Sequence, residues 1–117
     1  MGIVEEAKMI IEKTSNTYWA RIYISGPIEE AKQIIRRECI QEGLCITIEP
    51  TLFIYTGGEE NGYVIGLINY PRFPSDPVYI KTRAHDLCKK LMTETYQYSA
   101  LIMTVDETIW ITQREQT

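Results

Sequence analysis

The chain has one histidine and three cysteines with no close pair, and it lacks the common catalytic signatures. One histidine rules out the usual histidine-built metal centre. A Cys₃His zinc site from Cys39, Cys45, Cys88 and His85 can be written down, but it lacks the paired spacing of structural zinc sites. An odd cysteine count without close pairs points to a reducing compartment rather than a disulfide scaffold. No apolar run approaches the roughly 20 residues needed to span a bilayer. The start, Met1-Gly2-Ile3-Val4-Glu5-Glu6, has neither a basic segment nor a signal-peptide core, and Glu6 stands where myristoylation wants Ser or Thr. A net charge of −4 and a pI near 5.0 argue against non-specific nucleic-acid binding, which draws its affinity from Lys and Arg. The expectation is a cytoplasmic protein with no membrane contact. Ser25 sits in no nucleophile elbow, and Gly57-Gly58 is followed by no Lys-Ser/Thr, so it is not a phosphate loop. The acidic pairs Glu59-Glu60 and Asp106-Glu107 read as solvated carboxylates in turns. No catalytic residue, cofactor or metal is expected on these grounds.

What is present is a clear order of elements. Residues 3–13 place Ile3, Ala7, Ile10 and Ile11 at helical spacing, which predicts a short amphipathic helix within an N-terminal segment, 1–17. Residues 18–24 alternate, with Ala20, Ile22 and Ile24 on one side and Trp19, Arg21 and Tyr23 on the other. Ser25-Gly26-Pro27 stops that strand and opens a helix to Gln41, with Gly26 as N-cap and Gly43 as left-handed cap. Residues 44–56 form an extended segment that Pro50 bends, as a bulge or at an edge. Residues 57–62 read as a hairpin loop, 63–70 as strand three, and 71–77 as a connection stiffened by three prolines. A helix follows over 78–96, then a strand over 100–105 and a short fifth strand over 109–112.

Strand–helix–strand–strand–helix–strand predicts a ferredoxin-like α+β domain over 18–117, an antiparallel sheet with both helices on one face. The other face then carries Trp19, Arg21, Tyr23, Phe53 and Tyr55. Such a face should be polar if it meets only water, so it calls for a second copy, the N-terminal helix, or a stacked ligand. The face does not make an RNA-recognition domain, because Ile65 and Ile68 stand where rings are needed. The loop after strand one has no arginine, which also excludes an acylphosphatase-like phosphate site. Arg72, set between Pro71 and Pro74, has little backbone freedom and could meet an anion at low ordering cost.

Ile54-Tyr55-Thr56-Gly57-Gly58-Glu59-Glu60, Asn69-Tyr70-Pro71-Arg72-Phe73-Pro74 and Ser25-Gly26-Pro27 together resemble an uncharacterised family of small bacteriophage proteins. The resemblance carries no functional motif. It implies a viral setting, in which small binders that counter host defence are common. The expectation is therefore a non-catalytic homodimeric module that sequesters a small anionic, nucleotide-like ligand, with Trp19, Arg21, Tyr23, Tyr55 and Arg72 as ligand-binding residues. Two other readings stay open: a module that binds or inhibits a host protein through its open face, and a metal-dependent hydrolase using Asp and Glu.

Overall fold

The computed structural model describes residues 9–114. The elements are β1 (Trp19–Ser25), α1 (Ile28–Glu42), β2 (Ile46–Tyr55), β3 (Gly58–Ile68), α2 (Pro77–Glu94), β4 (Ser99–Thr104) and β5 (Thr108–Thr112). The strands form one sheet in the order β2-β3-β1-β4-β5, and every neighbouring pair is antiparallel. Each β-α-β unit is split, since β3 lies between β1 and β2 while β1 lies between β3 and β4.

Alternation along the strands sorts their side chains onto two faces. Ala20, Ile22 and Ile24 of β1, Tyr63, Ile65 and Leu67 of β3, and Ala100 and Ile102 of β4 are buried beneath the helices. They meet Ala31, Ile34 and Ile35 of α1 and Ile80, Ala84, Leu87, Cys88, Leu91 and Met92 of α2. Both helices therefore cover the same face. They are tied to each other by Glu38 of α1, whose side chain is only 11% exposed and lies 2.6 Å from Lys90 Nζ and 3.4 Å from Arg83 of α2. Charge and hydrogen bonding are supplied together, which is what a buried carboxylate requires.

Helix α2 starts where its sequence says it should. The Asp76 carboxylate accepts the Tyr79 N–H at 2.8 Å, and Pro77 occupies the first helical position, where its missing N–H costs nothing. Helix α1 begins one residue later than expected, with Pro27 as its extended cap, and ends at Gly43 in the left-handed region.

Two expectations need correction, and a third, Pro50 at a bulge or at an edge, resolves in favour of the edge. Residues 3–8 of the expected N-terminal helix lie outside the described residues, and residues 9–18 have no regular secondary structure. Pro50 makes no bulge, because the β2–β3 register runs unbroken from Ile46↔Leu67 to Tyr55↔Gly58. β2 is an edge strand, so a proline there removes no ladder bond the sheet needs. The hairpin loop is much shorter than expected: only Thr56 and Gly57 join the strands, with Gly57 at φ +95°. Gly58 to Gly62 belong to β3, where cross-strand pairing outweighs the local turn preference of glycine and asparagine.

Gly62 marks the tightest packing in the sheet. A Cβ there would stand 2.4 Å from the Ile24 carbonyl oxygen, 2.5 Å from the Phe53 ring and 2.9 Å from Ser25 Cα. Two of those neighbours are backbone, so the strain cannot relax by a rotamer change. Gly62→Ala is expected to lower stability by about 3 kcal/mol, read as an earlier urea midpoint at unchanged slope; an unchanged midpoint refutes it.

The pairing with Lys90, and less so with Arg83, holds the Glu38 carboxyl below its ordinary value of 4.5, against an opposing push from burial. A depressed carboxyl stabilises the fold above its unfolded value, and that contribution disappears as pH falls through the folded one. Thermal midpoints should therefore fall as pH drops below 4.5, and Glu38→Gln should flatten that part of the profile. An identical profile in the variant rejects the assignment.

Candidate functional site

The helices leave the second face of the sheet uncovered. On β1 it carries Trp19, Arg21, Tyr23 and Ser25, and the register places beside them Ile68, Gly66, Val64 and Gly62 of β3 and Met103 and Leu101 of β4. β5 adds Trp110, paired with Leu101 and 56% exposed. β2 adds Phe53 and Tyr55. The alternation read from the sequence therefore puts Trp19, Arg21, Tyr23, Phe53 and Tyr55 on one face, as expected. The Arg21 guanidinium lies over the Trp19 ring, 5.0 Å from its centroid.

The face is hollowed toward the end where β1 finishes. A depression of about 480 Å³ is lined by Tyr23, Ser25, Phe53, Leu101, Met103 and Trp110. Three flat rings and two flexible apolar side chains suit the faces of a planar heterocycle. At its rim stands a carboxylate. Ser25 Oγ donates to Glu60 Oε1 at 2.7 Å, across 35 residues of sequence. Glu60 also faces the Tyr55 phenol, whose ionisation is pushed up by its surroundings and by the charge and hydrogen bonding of Glu60. A carboxylate gathered between two hydroxyls beside an aromatic hollow can accept further hydrogen bonds or meet positive charge.

Sequence reasoning passed over Glu60 and Ser25. Glu60 was read as half of a solvated turn pair; it is exposed as expected, but the turn is shorter and Glu60 lies within β3. The usable signal was its even spacing with Gly62, Val64 and Gly66 once the strand is allowed to begin at Gly58. Trp110 was likewise assigned to a strand but not to a face.

Arg72 lies elsewhere. From Gly58, beside Tyr55, to Ile68 is ten residues of β3, about 33 Å of strand, and Arg72 follows beyond that end. There its guanidinium sits over the Phe73 ring, 5.4 Å from the centroid. One chain therefore brings Trp19, Arg21, Tyr23 and Tyr55 to one face and leaves Arg72 apart.

A larger cleft of about 550 Å³ opens near Arg72, between the end of α1, the ends of β2 and β3, and the 70–76 connection. Two of its charged groups are engaged in the fold, since Asp76 caps α2 and Arg83 bridges to Glu38, while Glu42 is exposed at its edge. The smaller hollow has the freer chemistry. Among the described residues no three His, Cys, Asp or Glu side chains are grouped to hold a metal ion, and no helix is long and apolar enough to cross a membrane.

No protein-family profile matches the chain, and no curated protein does. Two solved structures do. One is a phage SAM lyase in its apo state, with a TM-score of 0.77 at 17% identity, covering 93% of this chain and 100% of that one. The chain shares its fold with a phage enzyme. The other is a phage SAM lyase in complex with S-methyl-5′-thioadenosine, with a TM-score of 0.74 at 16% identity over 94% of this chain and 100% of that one. These neighbours accord with the resemblance to phage proteins. They also overturn the expectation of a non-catalytic sequestering module, since both matched structures are of a phage SAM lyase. That expectation rested on the lack of a contiguous catalytic signature, and such a search sees only residues adjacent in sequence.

The three cysteines differ in environment. Cys88 is fully buried, and burial pushes its thiol up to about 11. Burial also raises the half-buried Cys39, with smaller contributions from Cys45 and Glu38, while Cys45 is exposed. A thiol reagent at pH 8 should label Cys45 first, Cys39 slowly, and Cys88 only on unfolding. Rapid labelling of Cys88 in the native protein, read by peptide mass, contradicts this order.

Proposed function

We propose that this chain is a ferredoxin-like lyase that cleaves S-adenosylmethionine (SAM) and leaves S-methyl-5′-thioadenosine (MTA). The carrying observation is the fold it shares, over the full length of the matched chains, with a SAM lyase that was also solved with MTA bound. The chemistry of the open face supports the same reading. SAM differs from MTA by a four-carbon amino-acid chain on a positively charged sulfur, so the reaction breaks one carbon–sulfur bond: the carboxylate of that chain closes on the carbon to form a lactone as the sulfur leaves with the bonding pair as a neutral thioether. With so good a leaving group, the chain's own task is chiefly to bind, orient and desolvate. Tyr23, Phe53 and Trp110 provide surfaces on which adenine can stack. Glu60, steadied by Ser25 and Tyr55, accepts from the donors that SAM carries, its ribose hydroxyls and its ammonium group. Trp19 and Arg21 extend the same face.

We further infer that the protein self-associates, as a homodimer in the simplest case. A sheet face with Tyr23, Phe53, Leu101, Met103 and Trp110 on it is unusually apolar for one left to water. Arg72 remains a ligand-binding candidate at the end of the face where Trp19 pairs with Ile68, apart from the hollow at Tyr23 and Trp110.

Incubating the purified protein with SAM should release MTA, measured by chromatography with mass detection. Glu60→Gln should reduce the rate by about tenfold to a hundredfold, the cost of losing one charge-assisted contact. A wild-type protein that binds MTA but leaves SAM intact removes the lyase reading, and a fully active Glu60→Gln removes the site assignment.

A further inference from the structure

The N-terminal segment enters the body of the protein at a fixed point. Tyr18 is buried and its carbonyl accepts the Asn69 N–H at 2.9 Å. Ser15 Oγ donates to the Asn69 carbonyl at 2.8 Å, and Asn69 Nδ2 donates to the Asn16 carbonyl at 2.7 Å. Ahead of this clamp come three consecutive large apolar residues, Met9, Ile10 and Ile11, which are 84%, 93% and 76% exposed. Single exposed apolar side chains are ordinary on protein surfaces, but a run of three on an otherwise polar arm is a docking feature.

The same end of the molecule holds the 550 Å³ cleft, whose apolar walls include Ile46, Leu67, Ile68, Tyr70, Phe73 and Tyr79. Its mouth is acidic. Glu42 and Asp76 stand there, and α1 ends beside it with no basic residue in its last turn, leaving the negative pole of the helix unopposed. The arm carries Glu12 and Lys13 after Ile11; in an extended arm Ile11 and Lys13 share one side and Glu12 takes the other, so that side brings a cation to Glu42 and Asp76 and an apolar side chain to the walls. Within one chain the run lies open to solvent. Nine residues ahead of Tyr18 reach about 30 Å when extended, enough to cross from one copy to another.

We propose that residues 9–11 of one copy dock in the cleft walled by Tyr70, Phe73 and Tyr79 of a second copy, with Lys13 against its acidic mouth. The inference rests on the self-association proposed above, and it is separate from the lyase chemistry. It gives the 550 Å³ cleft an occupant that is part of the chain itself, a contact separate from the open sheet face.

Cys45 lines that cleft and is exposed, which provides a direct test. In the full chain, Ile11→Cys under mild oxidation should give a dimer-sized product on a non-reducing gel, with the new thiol joined to Cys45 by peptide mapping. A monomer-sized product with the same linkage overturns the proposal in favour of a strap on its own chain, and no linkage to Cys45 overturns it outright. As a second variant, Ile10→Asp combined with Ile11→Asp should keep the native circular-dichroism spectrum and weaken self-association by about tenfold or more in light scattering; unchanged association refutes the docking. A wild-type protein that is monomeric at every concentration removes both this inference and the self-association beneath it, whereas an oligomer without the Cys45 linkage removes this one alone.

Discussion

Two helices can cover one face of a five-stranded sheet and no more, and most of the molecule's chemistry follows from that constraint. Buried side chains of β1, β3 and β4 point at α1 and α2, where aliphatic contacts fasten the two layers and the Glu38–Lys90–Arg83 cluster ties the helices to each other. Every strand residue of the opposite parity must then face outward. Because β1 and β3 lie inside the sheet, their outward residues cannot hide at an edge. The rings of Tyr23, Phe53 and Trp110 and the carboxylate of Glu60 are thus displayed on strands rather than on loops, with Glu60 on the two-stranded part of the sheet beyond Gly62.

Rigidity matters for the reading as a lyase. A sulfonium centre is already activated, so a protein that acts on it needs an accurately shaped surface more than a powerful acid or base. A strand-borne site supplies this. The backbone on either side of Ser25 and Glu60 is hydrogen-bonded in register with its neighbours, and the approach of Phe53 and Ile24 over Gly62 removes slack from the same spot. The 550 Å³ cleft, by contrast, lies among helix ends and a proline-rich connection, where Asp76 is occupied with capping and Arg83 with bridging.

Much of this architecture was legible in the sequence wherever a signal repeats. Alternation in β1 assigned Trp19, Arg21 and Tyr23 to one face, and the helical spacing of Ile80, Ala84, Leu87, Cys88 and Leu91 located the core side of α2. Single-residue punctuation also read well at Gly43, whereas Asp76-Pro77, read as part of the connection, caps and opens α2. What could not be read was set by partners distant in the chain. The Gly-Glu-Glu-Asn-Gly run has the composition of a loop, yet ten consecutive pairs with β2 make it strand. Glu60 looked solvated because nothing in its neighbourhood announces Ser25. The stiffness of the Arg72 segment was visible, but its separation from Tyr55 depends on the length of a strand whose beginning had been misplaced.

The register of β3 has a mechanical side as well. Its pairing with β1 stops at Gly62↔Ser25, whereas its pairing with β2 continues to Gly58↔Tyr55. Beyond Gly62 the sheet narrows to a two-stranded ribbon, which twists more freely than the sheet it leaves. Glu60 sits on the ribbon just past this junction and Ser25 on the sheet just before it, so their hydrogen bond spans the hinge line. Anything that bends the ribbon lengthens that bond, and anything that grips Glu60 stiffens the ribbon. The hairpin is in effect a lever, with the carboxylate placed close to its fulcrum.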